Sequence, residues 1–339
     1  MKTPLLSLAV ALGLAACQSA PIQLPSAPRA PVTAEPEPAN WRQLLPDQIE
    51  QVRAAAARYR DFDVAQRDGW KPFGDEEPLM GRHYYIENPA YDYVAGEPID
   101  FSRPNNLIYA DFGAGPTLTG VAYVVRLGPD DALPAGFAGP QDRWHVHDMV
   151  GIINAATEER PFIRGLAQRW LKDRYFKRGD DRARLAMVHV WTETDNPDGL
   201  FADYDRTIPY RKLGLTADHW RGRSVTAARG LHLATPDGCE QTYEAKAWVA
   251  DTSGKQNRTI MSACRDAAGR LRAVLAGGPS PERLDGAALR AWDDYSRAYD
   301  TVLSPAQKAR INAMSEHGPD AHHGHSHDRP RHDGPLHEG

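Results

Sequence analysis

Leu185-Ala186-Met187-Val188-His189-Val190-Trp191 alternates along its whole length. Successive residues of a strand point to opposite faces, so His189 shares a face with Met187 and Trp191. The same texture surrounds this run. From about Trp70 to Trp191 turn residues are dense and apolar stretches are short. Leu107–Asp111, Thr119–Leu127 and Trp144–Ile152 read as further strands. One helix interrupts them, Phe162 to Phe176, with Phe162, Leu166 and Trp170 on one face. Its other face carries Arg164, Arg169, Lys172, Arg174 and Lys177, which reads as a solvated surface rather than an anion site.

Helices flank the strands. Pro46 opens one whose Ile49, Val52, Ala56 and Tyr59 form an apolar face. After about Leu215 the texture turns helical. Ile260, Cys264, Ala267, Leu271 and Val274 repeat at helical spacing, and Leu289, Trp292, Tyr295, Tyr299 and Val302 do much the same. Ser304-Pro305-Ala306-Gln307 is a helix start, with Ser as cap, Pro at the first position and Gln three residues after the cap. The expected fold class is α+β. A mainly antiparallel β domain, barrel or jelly-roll-like, occupies residues 41–214, and a helical region occupies 215–316.

The 339 residues suffice for one large domain or two modest ones. Apolar residues make up 41% and charged residues 25%, an ordinary globular composition. A net charge of −5 gives no electrostatic footprint for nucleic acid. There is no G-x-S-x-G, no P-loop and no G-x-G-x-x-G leading into a helix, so no nucleophile or nucleotide motif stands out.

Thirteen histidines remain to be explained. In Trp144-His145-Val146-His147-Asp148 the two histidines share a strand face, roughly 7 Å apart. Two imidazoles so placed can converge on one metal ion. His189 is the natural third ligand and His83, in Met80-Gly81-Arg82-His83-Tyr84-Tyr85, the fourth. Neutral imidazoles suit Zn, Cu, Ni or Fe. Asp148 and Glu193 are candidates to orient the ligating rings. The competing reading is two hydrogen-bonded polar residues and a satisfied core histidine. His219 and His232 have no partner pattern and read as structural or exposed. Seven more histidines fall in residues 317–339, among them His322, His323, His325 and His327. This tail has almost no apolar content, should be disordered, and its Gly-, Ser- and Asp-spaced histidines would bind transition metals without a fold.

The amino terminus resembles a bacterial lipoprotein signal. Met1-Lys2 precedes an apolar run from Leu5 to Ala16, and Leu14-Ala15-Ala16-Cys17 is similar to a lipobox. The resemblance implies that residues 1–16 are removed and that Cys17 carries lipid. Gln18 follows, not the Asp expected of inner-membrane retention, so an outer-membrane anchor facing the periplasm is implied. Residues 17–40 carry six prolines and form an extended tether reaching on the order of 70 Å. Reserving Cys17 for lipid leaves Cys239 and Cys264, which in an oxidising envelope are expected to form a disulfide.

Two further resemblances bear on the body. Gly139 through His147 is similar to the start of the first cupin motif, a glycine, five residues, then His-x-His. The cupin glutamate is missing where Gly151 and Ile152 stand, and no second motif surrounds His189. Over about 130 residues the chain resembles a group of uncharacterised secreted bacterial proteins. The matching residues are Met80-Gly81-Arg82-His83-Tyr84, Val121-Ala122-Tyr123-Val124-Val125, and His189-Val190-Trp191 with Asn196-Pro197-Asp198-Gly199-Leu200-Phe201-Ala202. That group implies no settled activity.

The expectation is a lipid-anchored envelope protein that binds a transition metal for buffering, delivery or sensing. Its expected partners are the membrane, through the lipid alone, and metal ions; nucleic acid is not among them. Two rivals stay open. One is a metal-dependent envelope enzyme using the histidine cluster, a cupin-like oxidoreductase or hydrolase. The other is a non-catalytic interaction module whose histidines do not converge.

Overall fold

The computed structural model describes residues 40–127, 131–139, 143–148, 162–163, 166 and 184–316. The lipobox, the tether and the histidine tail lie outside the described residues. So does the helix expected over Phe162–Phe176, apart from Phe162, Ile163 and Leu166.

The chain is α+β. Two helices come first, α1 (Trp41–Ala57) and α2 (Phe62–Arg67). Seven strands follow among the described residues: β1 (Trp70–Glu77), β2 (Gly81–Ile86), β3 (Tyr93–Val94), β4 (Asn106–Asp111), β5 (Pro116–Leu127), β6 (His145–Asp148) and β7 (Arg184–Val190). Seven helices complete the described chain: α3 (Ile208–Lys212), α4 (Ala217–Trp220), α5 (Val225–His232), α6 (Gly238–Val249), α7 (Gly254–Ala276), α8 (Pro281–Val302) and α9 (Pro305–Glu316).

The strands form one sheet in the order β1-β2-β4-β5-β7-β6, with short β3 pairing in parallel to β5. The other pairings are antiparallel. The sheet is open, which corrects the expected barrel or jelly-roll. The physical reason lies in its two covered faces: each carries its own apolar cluster, so burial is complete without closure. β1, at one end, bears Pro72, which has no N–H to offer, and a register break between Phe73 and Glu77. Both features suit an edge strand.

Register assigns the faces. Tyr84, Leu107, Tyr109, Val121, Tyr123, Val146, Val188 and Val190 point one way and pack with Ile49, Val52, Ala56 and Tyr59 of the first helical segment. The helix starts earlier than expected. Pro46 lies inside α1 rather than at its first position, so the sequence cue of an N-terminal proline marked the wrong turn. The opposite face carries Ile108, Ala110, Ala122, Met187 and Trp191. A bulge at Ile108/Tyr109 leaves Thr119 as the extra residue of β5, and its buried hydroxyl donates to the Ile108 carbonyl at 3.0 Å.

The helices have a core of their own, built largely of alanine: Ala227, Ala228, Ala267, Ala287, Ala288 and Ala291 with Leu231, Leu271 and Leu284. α5 crosses α8 so closely that a Cβ on Gly230 would stand 2.0 Å from the Ala288 carbonyl oxygen. Leu79, at the tip of the β1–β2 hairpin with φ 63°, and Tyr210 also belong to this core. The boundary drawn near residue 215 therefore separates textures, while the core beneath it is shared. Cys239 and Cys264 are disulfide-bonded, as expected, and join α6 to α7 with Cα atoms 5.9 Å apart. Among the described residues no helix is long and apolar enough to cross a membrane.

Candidate functional site

His83, on β2, pairs in register with Ile108 of β4. His189, on β7, pairs with Ala122 of β5. His145 and His147 on β6 pair with Met187 and Leu185 of β7. Paired residues share a face, so all four histidines emerge on the Ile108–Ala122–Met187 side. Two strands separate His83 from His189. Their rings nevertheless meet across Ile108 and the small Ala122, with Nε2 atoms 3.2 Å apart. His145 and His189 ring centres lie 5.0 Å apart, and those of His145 and His147 lie 5.1 Å apart. The cluster thus runs His83, His189, His145, His147.

Local backbone explains the placement of His83. Gly81 starts β2 at φ +96°, and a Cβ there would stand 2.5 Å from the Tyr109 carbonyl oxygen. Only glycine fits both the left-handed angle and the close approach to β4. The Met-Gly-x-His-Tyr run is thereby explained: glycine admits the strand, the histidine enters the cluster, and Met80 joins the apolar cluster of Ile108, Ala110, Ala122 and Trp191.

The second motif closes the site from above. Trp191 donates from its indole Nε1 to the Ala202 carbonyl at 2.6 Å, and from its backbone N–H to the Leu200 carbonyl at 2.9 Å. Asn196 accepts from the Asp198 N–H and donates to the Tyr204 carbonyl at 2.8 Å. Gly199 turns at φ +109°. Phe201 drops into the far-face core, Ala202 into the near one, and the Asp205 N–H bonds the Leu79 carbonyl. This places Asp203, 8% exposed, over β6, where its Oδ1 lies 3.6 Å from His145 Nδ1.

The site is dry. Exposure is 5% for His83, 1% for His145, 9% for His147 and 1% for His189. Burial pushes His83 down to about 4, with His147 adding to the effect. His147 falls to about 4 by burial, opposed by the Asp203 charge. His145 and His189 go well below the usual histidine range, again by burial first and by their neighbouring histidines second. All four are therefore neutral at pH 7, the form in which imidazole ligates metals. The backbone of Arg143 lies against the His145 ring and that of Asp203 against the His189 ring, whereas Nε2 of His147 has no hydrogen-bond partner. Among the described residues, no group of three or more His, Cys, Asp or Glu side chains is placed to hold a metal ion.

The four body histidines singled out by the sequence are brought together. Glu193 is placed otherwise: both its oxygens go to Arg60, at 2.7 and 3.3 Å. The carboxylate beside His145 is Asp203, one residue beyond the Asn196–Ala202 motif. No sequence signal marks it, since the loop that carries it back over the sheet is fixed by contacts of Trp191 that spacing does not encode. The side chain of Asp148 and the tail residues His322, His323, His325 and His327 lie outside the described residues. His232 is buried apart from the cluster, at the end of α5. The chain matches no protein-family model, no curated protein and no solved structure.

Proposed function

We propose that this is a lipid-anchored envelope protein that binds one transition-metal ion (Zn, Cu, Ni or Fe) through His83, His145, His147 and His189. The observation that carries this is the meeting of His83 and His189 at 3.2 Å between Nε2 atoms. Two nitrogens bonded at about 2.0–2.1 Å to one tetrahedral ion stand about 3.3–3.4 Å apart. A hydrogen bond between opposite tautomers accounts for the same separation. It leaves unexplained the buried Nε2 of His147, which costs about 1–3 kcal/mol without a partner. An ion would satisfy it. His83 and His189 form the preset half of the site, and rotation of the His145 and His147 rings would complete it.

Burial favours holding over turnover. A catalytic metal keeps a position open to substrate, whereas these four side chains are at most 9% exposed. Buffering, delivery or sensing is therefore the preferred role, with the histidine tail as a loose collector. The envelope address draws support from Cys17 and from the disulfide, a bond that persists in oxidising compartments. The test is metal analysis of protein purified without residues 317–339. Retention of about one equivalent, lost in His145→Ala or His189→Ala, is expected; absence of metal in this protein after exposure to each ion in turn rejects the proposal.

A further inference from the structure

The carboxylate of Asp203 is the one acidic group the loop delivers to the histidines. Its Oδ1 lies 3.6 Å from His145 Nδ1, within an ordinary side-chain adjustment of a hydrogen bond. The loop that carries it is held at several points, by the Trp191 indole, by Asn196 and by the Leu79 carbonyl. Such anchorage fixes a side chain that would otherwise wander. His145 has two chemically distinct nitrogens, and only one can carry the proton in the neutral ring. A carboxylate at Nδ1 takes that proton's hydrogen bond and leaves Nε2 as the lone-pair donor. The Arg143 backbone is a second hydrogen-bonding group at the His145 ring, beside the Asp203 carboxylate.

We propose that Asp203 is a positioning residue for the metal site, which fixes His145 as the Nδ1–H tautomer and thereby turns its Nε2 toward an ion shared with His83 and His189. This rests on the metal-binding reading above. Asp203 acts through His145 and is not itself a ligand. The neutral imidazole gains basicity from the carboxylate behind it, as partners of metal-bound histidines generally confer. The arrangement would select a divalent ion that prefers nitrogen donors in a compact geometry.

The experiment is titration of the full-length chain with Co²⁺. The intense visible absorption of a tetrahedral ion reports the buried site, because hydrated Co²⁺ on exposed histidines absorbs weakly. Asp203→Asn is expected to bind 10- to 100-fold more weakly and to shift the absorption band, with the metal-free melting temperature unchanged. Asp203→Glu is expected to recover part of the affinity. An unchanged affinity and band in Asp203→Asn, beside a native protein that binds, overturns the role of Asp203 and leaves the metal-binding reading standing. Weakening matched by a lowered metal-free melting temperature also overturns it, since Asp203 would then be supporting the fold. A native chain without the tetrahedral band overturns both.

Discussion

A histidine buried neutral makes the fold sensitive to acid, and four share one face here. Their folded values lie below the ordinary 6.5, near 4 for His83 and His147. Above pH 6.5 folded and unfolded chains are both deprotonated at these rings and nothing is gained or lost. Below it the unfolded chain takes protons that the folded chain refuses. Stability then falls by up to about 1.4 kcal/mol per pH unit for each histidine, down to about pH 4. Urea unfolding of metal-free protein at pH 7.5 and 5.5 should show a clear drop in midpoint at the lower pH. A midpoint independent of pH in that window would contradict the burial of these rings. Strand period made part of this cluster legible, since His145 and His147 must share a face at two-residue spacing. The Met-Gly-x-His and His-Val-Trp runs pointed to His83 and His189. Asp203 was hidden because its approach is made through a loop, and no local spacing encodes where a loop returns. Glu193 was misleading for the converse reason: three residues past the end of β7, alternation no longer says where a side chain points, and Arg60 takes it.

Helix ends show the same limits at the next scale. Ser304 and Gln307 form the expected reciprocal cap, with the Ser304 N–H donating to Gln307 Oε1 at 2.9 Å and the Gln307 N–H to Ser304 Oγ at 3.2 Å. A second capping box, Ser253 with Gln256, opens α7. The two glutamines also bond each other, Gln256 Nε2 to Gln307 Oε1 at 2.8 Å and the reverse at 3.2 Å, so one cap braces the other. Each Gln→Ala change should cost about 1 kcal/mol, and the double variant should show coupling of at least about 0.5 kcal/mol in chemical denaturation. Strict additivity would mean the mutual bond does not contribute. The disulfide works on the same helices. Cys239 and Cys264 are separated by 25 residues, so Cys239→Ala/Cys264→Ala should lose about 3 kcal/mol. Both are at most 3% exposed, so reductant should leave the native bond intact until the chain unfolds. Thiol titration before and after denaturation distinguishes the two states. The periodicity of α7 was readable, and Ile260, Cys264, Ala267 and Leu271 are buried as read. In α8 Tyr295 is buried as read, and Leu289 misled. Leu289 is 37% exposed, and the buried face is Leu284, Ala287, Ala288, Ala291 and Tyr295. The close crossing at Gly230 demands small side chains, which a reading weighted toward bulk overlooks.

The whole molecule depends on contacts that cross its apparent boundary. The α+β class was legible because strands and helices occupy different stretches of chain. Sheet closure was not, because alternation says which residues face inward but not whether the two end strands find each other. Leu79 belongs to the helical core and Met80 to the histidine face, although they are neighbours in sequence. A fragment comprising residues 41–214 would leave Leu79 and Tyr210 in water, and it is expected to give no cooperative melt in calorimetry. A sharp transition in that fragment would show that the sheet stands alone.

That hairpin tip bears on how such a protein can change over time. Leu79 sits at φ 63°, a backbone angle uncommon for a leucine, and four residues later the same hairpin presents His83. Recombination that joined this sheet to a different set of helices would keep every imidazole in the gene and still strand the leucine that seats their strand. Sheet and helices are thus a single unit of inheritance, and descendants are expected to keep or lose them together.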